Sequence, residues 1–156
     1  MKISELIPKE KIIAELKSQS KDEIIDELLN LFKDDERVYD IDVLREDIIK
    51  REKIMSTGIG EGLAIPHCST NVVNGYIVAF GKTGKPVDFE SIDHKPAFFF
   101  FLVAGNNVKR HMQFLSRVAR VMNKEFKEKL LNANTSDEIY SFFQKFDDEV
   151  IRPKYS

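Results

Sequence analysis

A single cysteine, Cys68, stands in a chain of 156 residues, so no internal disulfide can form and a reducing compartment is the expected setting. Long apolar runs are also missing. The longest, Ala97 to Ala104, reads as one buried strand and falls far short of the ~20 residues that cross a bilayer as a helix. Met1 to Lys11 lacks the apolar stretch of a secretory leader, so the expected localisation is cytoplasmic, without membrane insertion. No charge of one sign dominates: 24 basic residues face 26 acidic ones, which leaves no overall field to draw the chain to nucleic acid or an anionic membrane. Recognition must therefore be local. Repeats, low-complexity tracts and long linkers are absent, which excludes solenoid and two-domain readings. One domain spanning residues 1–156 is expected, with 42% hydrophobic residues to build its core.

The residues that are present alternate between helical and extended patterns. Ile12, Ile13 and Leu16 form a short apolar patch, and Ser20 with Glu23 makes a capping box that opens a helix running to about Asp34. Its Ile24, Ile25, Leu28, Leu29 and Phe32 share one face, with Lys21, Asp26 and Lys33 turned to water. A second helix is expected from Val43 to Met55, capped by Asp42, with Val43, Leu44, Ile48 and Ile49 inward and Arg51 near its end. Glycines at 58, 60 and 62 then predict a shaped loop without regular structure. Tyr76 to Phe80 and Phe98 to Val103 read as central strands, the second buried on both faces, with Gly81 to Lys95 as punctuation between them. A helix from about Lys109 to Asn123 presents Met112, Leu115, Val118, Ala119 and Met122 inward, and Thr135 with Glu138 opens a last helix. Helices on either side of a sheet predict a single α/β domain, a three-layer α/β/α sandwich.

Three histidines allow a comparison of sites. His67 follows Pro66 at the junction of an apolar segment and a loop, where an uncharged imidazole is a competent nucleophile near neutral pH. Phosphoryl transfer to such a ring needs fixed donors and a nearby cation, for which Arg51 and the loop of Thr57, Gly58 and Gly60 are the candidates for positioning the phosphate. Spacing alone leaves His67 open between this role and a structural one, and the glycines open between a cradle and a tight turn. They spell neither a Walker loop nor a dinucleotide fingerprint. His111 starts the amphipathic helix beside Lys109 and Arg110, where helix-end donors assist anion binding. By contrast, His94 lies in the polar turn Asp93-His94-Lys95-Pro96 and reads as a solvated residue. The histidines lack the short paired spacing of a zinc site, so no metal is expected. Lys124 to Lys129 reads as a solvated helix face.

The stretch Arg51-Glu52-Lys53-Ile54-Met55-Ser56-Thr57-Gly58-Ile59-Gly60-Glu61-Gly62-Leu63-Ala64-Ile65-Pro66-His67 closely resembles the signature of phosphotransferase-system (PTS) IIA proteins of the fructose and mannitol type, the EIIA type-2 family. The resemblance covers essentially the whole chain. It implies a mixed sheet flanked by helices, phosphorylation of His67 at Nε2 by the phosphocarrier HPr or an HPr-like protein, and transfer onward to a cysteine of a IIB partner. It also implies that Arg51 orients the site and that His111 is the supporting second histidine, with no metal, nucleotide or other cofactor. Two positions depart from the family pattern: Phe89 stands where many members have tryptophan, and Cys68 where many have glycine or a basic residue. No IIB, IIC or HPr region accompanies the motif, so the partner is expected to be a separate protein. A nitrogen-type regulatory IIA, whose phosphorylation state controls binding to kinases or transporters, is the alternative the same residues imply.

Overall fold

A computed structural model of the protein describes residues 2–151. After a short first helix, α1 (Ile3–Leu6), and strand β1 (Ile12–Ile13), the chain forms helices α2 (Lys21–Leu29) and α3 (Ile41–Ile54). Three short strands follow, β2 (Gly58–Gly60), β3 (Leu63–Ala64) and β4 (His67–Ser69). The long strands β5 (Tyr76–Val87) and β6 (Ala97–Gly105) precede helices α4 (Val108–Val121), α5 (Lys124–Asn132) and α6 (Ser136–Ile151). The sheet order is β1-β5-β6-β3-β2, with β4 also on β6. It is mixed: β5 and β6 run antiparallel, while β3 and β4 run parallel to β6.

Strand β6 explains the three layers. Successive side chains of a strand point to opposite faces. Phe99, Phe101 and Val103 join one cluster with Ile3, Phe114, Phe126 and Phe143, from α1, α4, α5 and α6. Phe100, Leu102 and Ala104 join the other with Ile24, Leu28, Leu44 and Ile48, from α2 and α3. Phe101 is fully buried against Phe80, Phe114 and Phe143, and an aromatic side chain placed so stabilises the fold by roughly 2–3 kcal/mol.

Several local expectations are corrected. Helix α2 ends at Leu29 and tightens into a 3-10 turn over Asn30–Phe32, and Lys21 turns inward to Glu52 instead of facing water. Asp40, not Asp42, caps α3, because its side chain accepts from the N–H groups of Asp42 and Val43. The glycine segment includes the short strand β2 paired with β3. Strand β5 continues through Gly84 and Pro86, since the ladder to β6 skips from Lys82 to Val87 and a proline there leaves no pairing N–H unmet. On α4 the buried residues are His111, Phe114, Val118 and Val121, whereas Met112 and Ala119 are exposed. A polar histidine on the core face had shifted the apparent stripe by about one position. The last helix begins as expected, with Thr135 Oγ1 accepting from Glu138 N at 3.1 Å. Among the described residues no helix is long and apolar enough to cross a membrane.

Candidate functional site

His67 opens β4, and its place is set by the strand beside it. Leu63 and Ala64 pair with Phe99 and Phe100, then His67, Cys68 and Ser69 pair with Val103, Ala104 and Gly105. Between the two pairings Pro66 contributes only its carbonyl, which accepts from Val103 N at 3.0 Å. The His67 ring is half-buried, and its Nδ1 lies 2.6 Å from the carbonyl oxygen of Ile65. A carbonyl only accepts, so Nδ1 carries the proton and Nε2 keeps a lone pair. Burial lowers the pKa of His67, opposed by the Ile65 carbonyl and assisted by the positive charge of Arg51. The ring is therefore uncharged near neutral pH, as a nucleophile requires. Neighbouring Cys68 is buried, and its thiol is pushed up to about 12 by burial, which leaves it inert.

His111 arrives by topology. Because β4 and β6 are parallel, their C-terminal ends lie side by side, and α4 starts three residues after β6 ends. Its first turn brings His111 to His67, with ring centroids 5.2 Å apart and planes inclined at 56°. Tyr76 also packs edge-on against His111, at 5.4 Å between ring centroids. His111 is buried, and neither ring nitrogen has a hydrogen-bond partner among the described residues. Burial, then the neighbouring His67, lowers its pKa to about 4. Unmet polar atoms of this kind cost about 1–3 kcal/mol each, so an anion on His67 would give this ring a partner it lacks.

Arg51 lies in the last turn of α3, where its Nη1 donates to Met55 O at 2.9 Å. The helix is fixed against the end of β4 by Thr70 Oγ1 donating to Asp47 Oδ2 at 2.8 Å. Arg51, His67 and His111 line one open groove of about 460 Å³, with Asp47, Lys50 and Ser69 as further polar walls and Ile54, Val108, Met112 and Leu115 as apolar ones. An uncharged ring nitrogen, a guanidinium and a second imidazole on one groove can accept an electrophilic phosphorus and hold its oxygens.

Thr57, Gly58 and Gly60 do not line this groove. Thr57 is buried with its N–H and hydroxyl on the carboxylate of Glu52, at 2.9 and 2.6 Å, and Glu52 is also paired with Lys21 at 2.9 Å. Gly58 is pressed against Ser91, whose Oγ would lie 2.3 Å from an added β-carbon, and Gly60, at φ +100°, faces Asp93. The glycines thus admit the 88–95 segment at close range. Thr57 acts on the site at one remove, since its O accepts from Ile65 N at 3.0 Å and Ile65 O orients His67. His94 is exposed in its turn. Among the described residues no three His, Cys, Asp or Glu side chains gather as a metal site.

Sequence reading missed most of the groove walls. Asp47, Lys50, Arg51 and Ile54 recur at helical spacing, as do Val108, His111, Met112 and Leu115, so the two faces could have been projected from Arg51 and His111. No side-chain pattern announces the Ile65 carbonyl.

Residues 5–146 match the family model described as phosphoenolpyruvate-dependent sugar phosphotransferase system, EIIA 2. The chain is 37% identical over 152 residues to the PTS system fructose-specific EIIABC component of Bacillus subtilis, covering 94% of this chain but only 24% of that relative. It is 36% identical over 140 residues to the PTS system fructose-specific EIIA component of Haloferax volcanii, covering 88% of this chain and 91% of the relative. The crystal structure of nitrogen regulatory protein IIA-Ntr from Neisseria meningitidis superposes with a TM-score of 0.82 at 29% identity, over 90% of this chain and 98% of the other.

Proposed function

The chain belongs to the EIIA 2 family of the phosphoenolpyruvate-dependent sugar phosphotransferase system, and on that premise we propose that it is a phosphoryl carrier that uses His67. The Nε2 lone pair attacks the phosphorus of a phosphohistidine on HPr or an HPr-like protein. The donor's N–P bond breaks as the new one forms, and the donor imidazole leaves with its electron pair. A cysteine thiolate of a IIB partner then attacks the same phosphorus, and Nε2 departs uncharged. Arg51 holds equatorial oxygens, His111 donates to another, and the Ile65 carbonyl steadies Nδ1–H while the ring carries positive character. The observation that carries this reading is the Nδ1 contact with Ile65 O, which leaves Nε2 unprotonated in a groove shared with Arg51 and His111.

Incubation with phosphoenolpyruvate, enzyme I and HPr should add one acid-labile phosphate, and His67→Ala should abolish it. Persistent labelling of that variant would reject the assignment. The two fructose-specific relatives favour a sugar-transport branch. The likeness to IIA-Ntr supports a second reading, in which phosphorylation switches partner binding without onward transfer. Phosphorylated protein mixed with IIB domains loses its label under the first reading and keeps it under the second.

A further inference from the structure

The charge of this chain is segregated. Helix α4 carries Lys109, Arg110, Arg117 and Arg120 and no carboxylate, so against the chain's net charge of −2 the remainder holds a net −6. The cationic helix is the one that borders the His67 groove. Lys109 and Arg110 are exposed on its first turn, between the groove-lining Val108 and His111, and Lys50 and Arg51 stand on the opposite wall. None of these four cations is in a salt bridge among the described residues. Among the described residues the one carboxylate lining the groove, Asp47, is engaged by Thr70.

Apolar side chains stand among these charges. Ile54, Val108 and Met112 are 78%, 65% and 63% exposed, and all three line the groove. Large apolar groups left in water around a reactive residue mark a surface that another protein covers. Unpaired cations at the rim add a field that steers a partner of opposite sign. A small phosphate ester would use the cations but not the apolar side chains.

We propose that this collar docks a protein phosphate donor whose own transfer residue is ringed by carboxylates and apolar side chains. The proposal rests on the phosphocarrier reading and specifies the kind of carrier that serves it. The donor's carboxylates meet Lys109, Arg110 and Lys50, its apolar ring covers Ile54, Val108 and Met112, and Arg51 and His111 are left to the phosphoryl group. The negative remainder of the chain repels the same donor elsewhere, which confines productive encounters to the His67 face.

The test uses phosphorylated HPr proteins chosen for different numbers of carboxylates around the phosphohistidine, with phosphoramidate as a small donor that needs no docking. For acidic-rimmed donors kcat/KM should fall at least ~10-fold between ~50 and ~500 mM salt, while phosphoramidate labelling of His67 changes much less. Lys109→Glu should raise KM for those donors ~10-fold with kcat little changed. The fold should survive, since a carboxylate suits the first turn of a helix, and circular dichroism checks it. Faster transfer from basic-rimmed donors, salt-independent transfer, or an equal salt effect on phosphoramidate would overturn the docking proposal. So would tight binding to duplex DNA or anionic vesicles with KM unmoved by Lys109→Glu. Failure of phosphoramidate to label His67 at low salt would overturn the carrier reading and the docking proposal together, whereas labelling with salt-independent protein transfer rejects docking alone.

Discussion

His111 couples the chemistry of the groove to the acid stability of the whole fold. Burial, assisted by His67, takes its pKa from 6.5 to about 4, so the folded protein resists a proton that the unfolded chain accepts. Between those two values the unfolded state binds more protons, and stability must therefore fall as pH falls. At about pH 4.5 the solution lies roughly two pH units below the unfolded value and still above the folded one. At ~1.36 kcal/mol per pH unit, the loss due to His111 alone is about 2.5 kcal/mol relative to neutral pH. His111→Gln removes this titration, and its fixed cost in packing does not depend on pH. Urea unfolding of both proteins at about pH 7 and about pH 4.5 gives the double difference. Wild type should lose about 2.5 kcal/mol more than the variant, less whatever the loss of its neighbour changes in the titration of His67, because the carboxylates remote from this pair are common to both and cancel. Equal losses would refute the reasoning, since they would mean that His111 takes up its proton in the folded state as readily as in the unfolded one.

Three other perturbations probe the framework of the site. Gly58→Ala places a β-carbon 2.3 Å from Ser91 Oγ and 2.9 Å from Ser91 Cα. The hydroxyl can rotate away but the backbone cannot, so a loss of about 1–3 kcal/mol is expected in thermal or urea unfolding; unchanged stability would mean the 88–95 segment does not pack there. Lys21→Met leaves the buried Glu52 carboxylate without its ion pair at 2.9 Å, which should cost about 3 kcal/mol and slow His67 labelling through the Thr57 and Ile65 backbone. A labelling rate that follows only the folded fraction would sever that link. Arg51→Lys keeps one cation but loses the two-pronged donor set, so transfer from phospho-HPr should slow by ~10-fold with an unchanged unfolding midpoint, and unchanged kinetics would remove Arg51 from the mechanism.

Elements with strong local signals were legible from the sequence. Ser20 caps α2 as the Ser-x-x-Glu signal predicts, its Oγ accepting from Glu23 N and donating to Glu23 Oε1, and the uninterrupted run in β6 does divide between two cores, as a strand covered on both faces must. The boundaries that failed were set by partners distant in sequence. Nothing between Gly81 and Val87 marks a strand except the neighbour that β6 supplies, and the inward face of α4 was misjudged because burial of a histidine depends on what lies across from it.

The residue types decided the chemistry available: three imidazoles, one thiol, and an arginine and a glycine-rich segment ahead of Pro66 and His67. Tertiary structure alone decided which of them meet. His67 and His111 are far apart along the chain and become neighbours because β4 lies parallel beside β6 and α4 turns back from the end of that strand. Thr57, Gly58 and Gly60, although close to His67 in sequence, are drawn away toward Glu52, Ser91 and Asp93. Local sequence fixes backbone preference over a few residues, whereas strand register and helix packing fix the distances across which a phosphoryl group must be held.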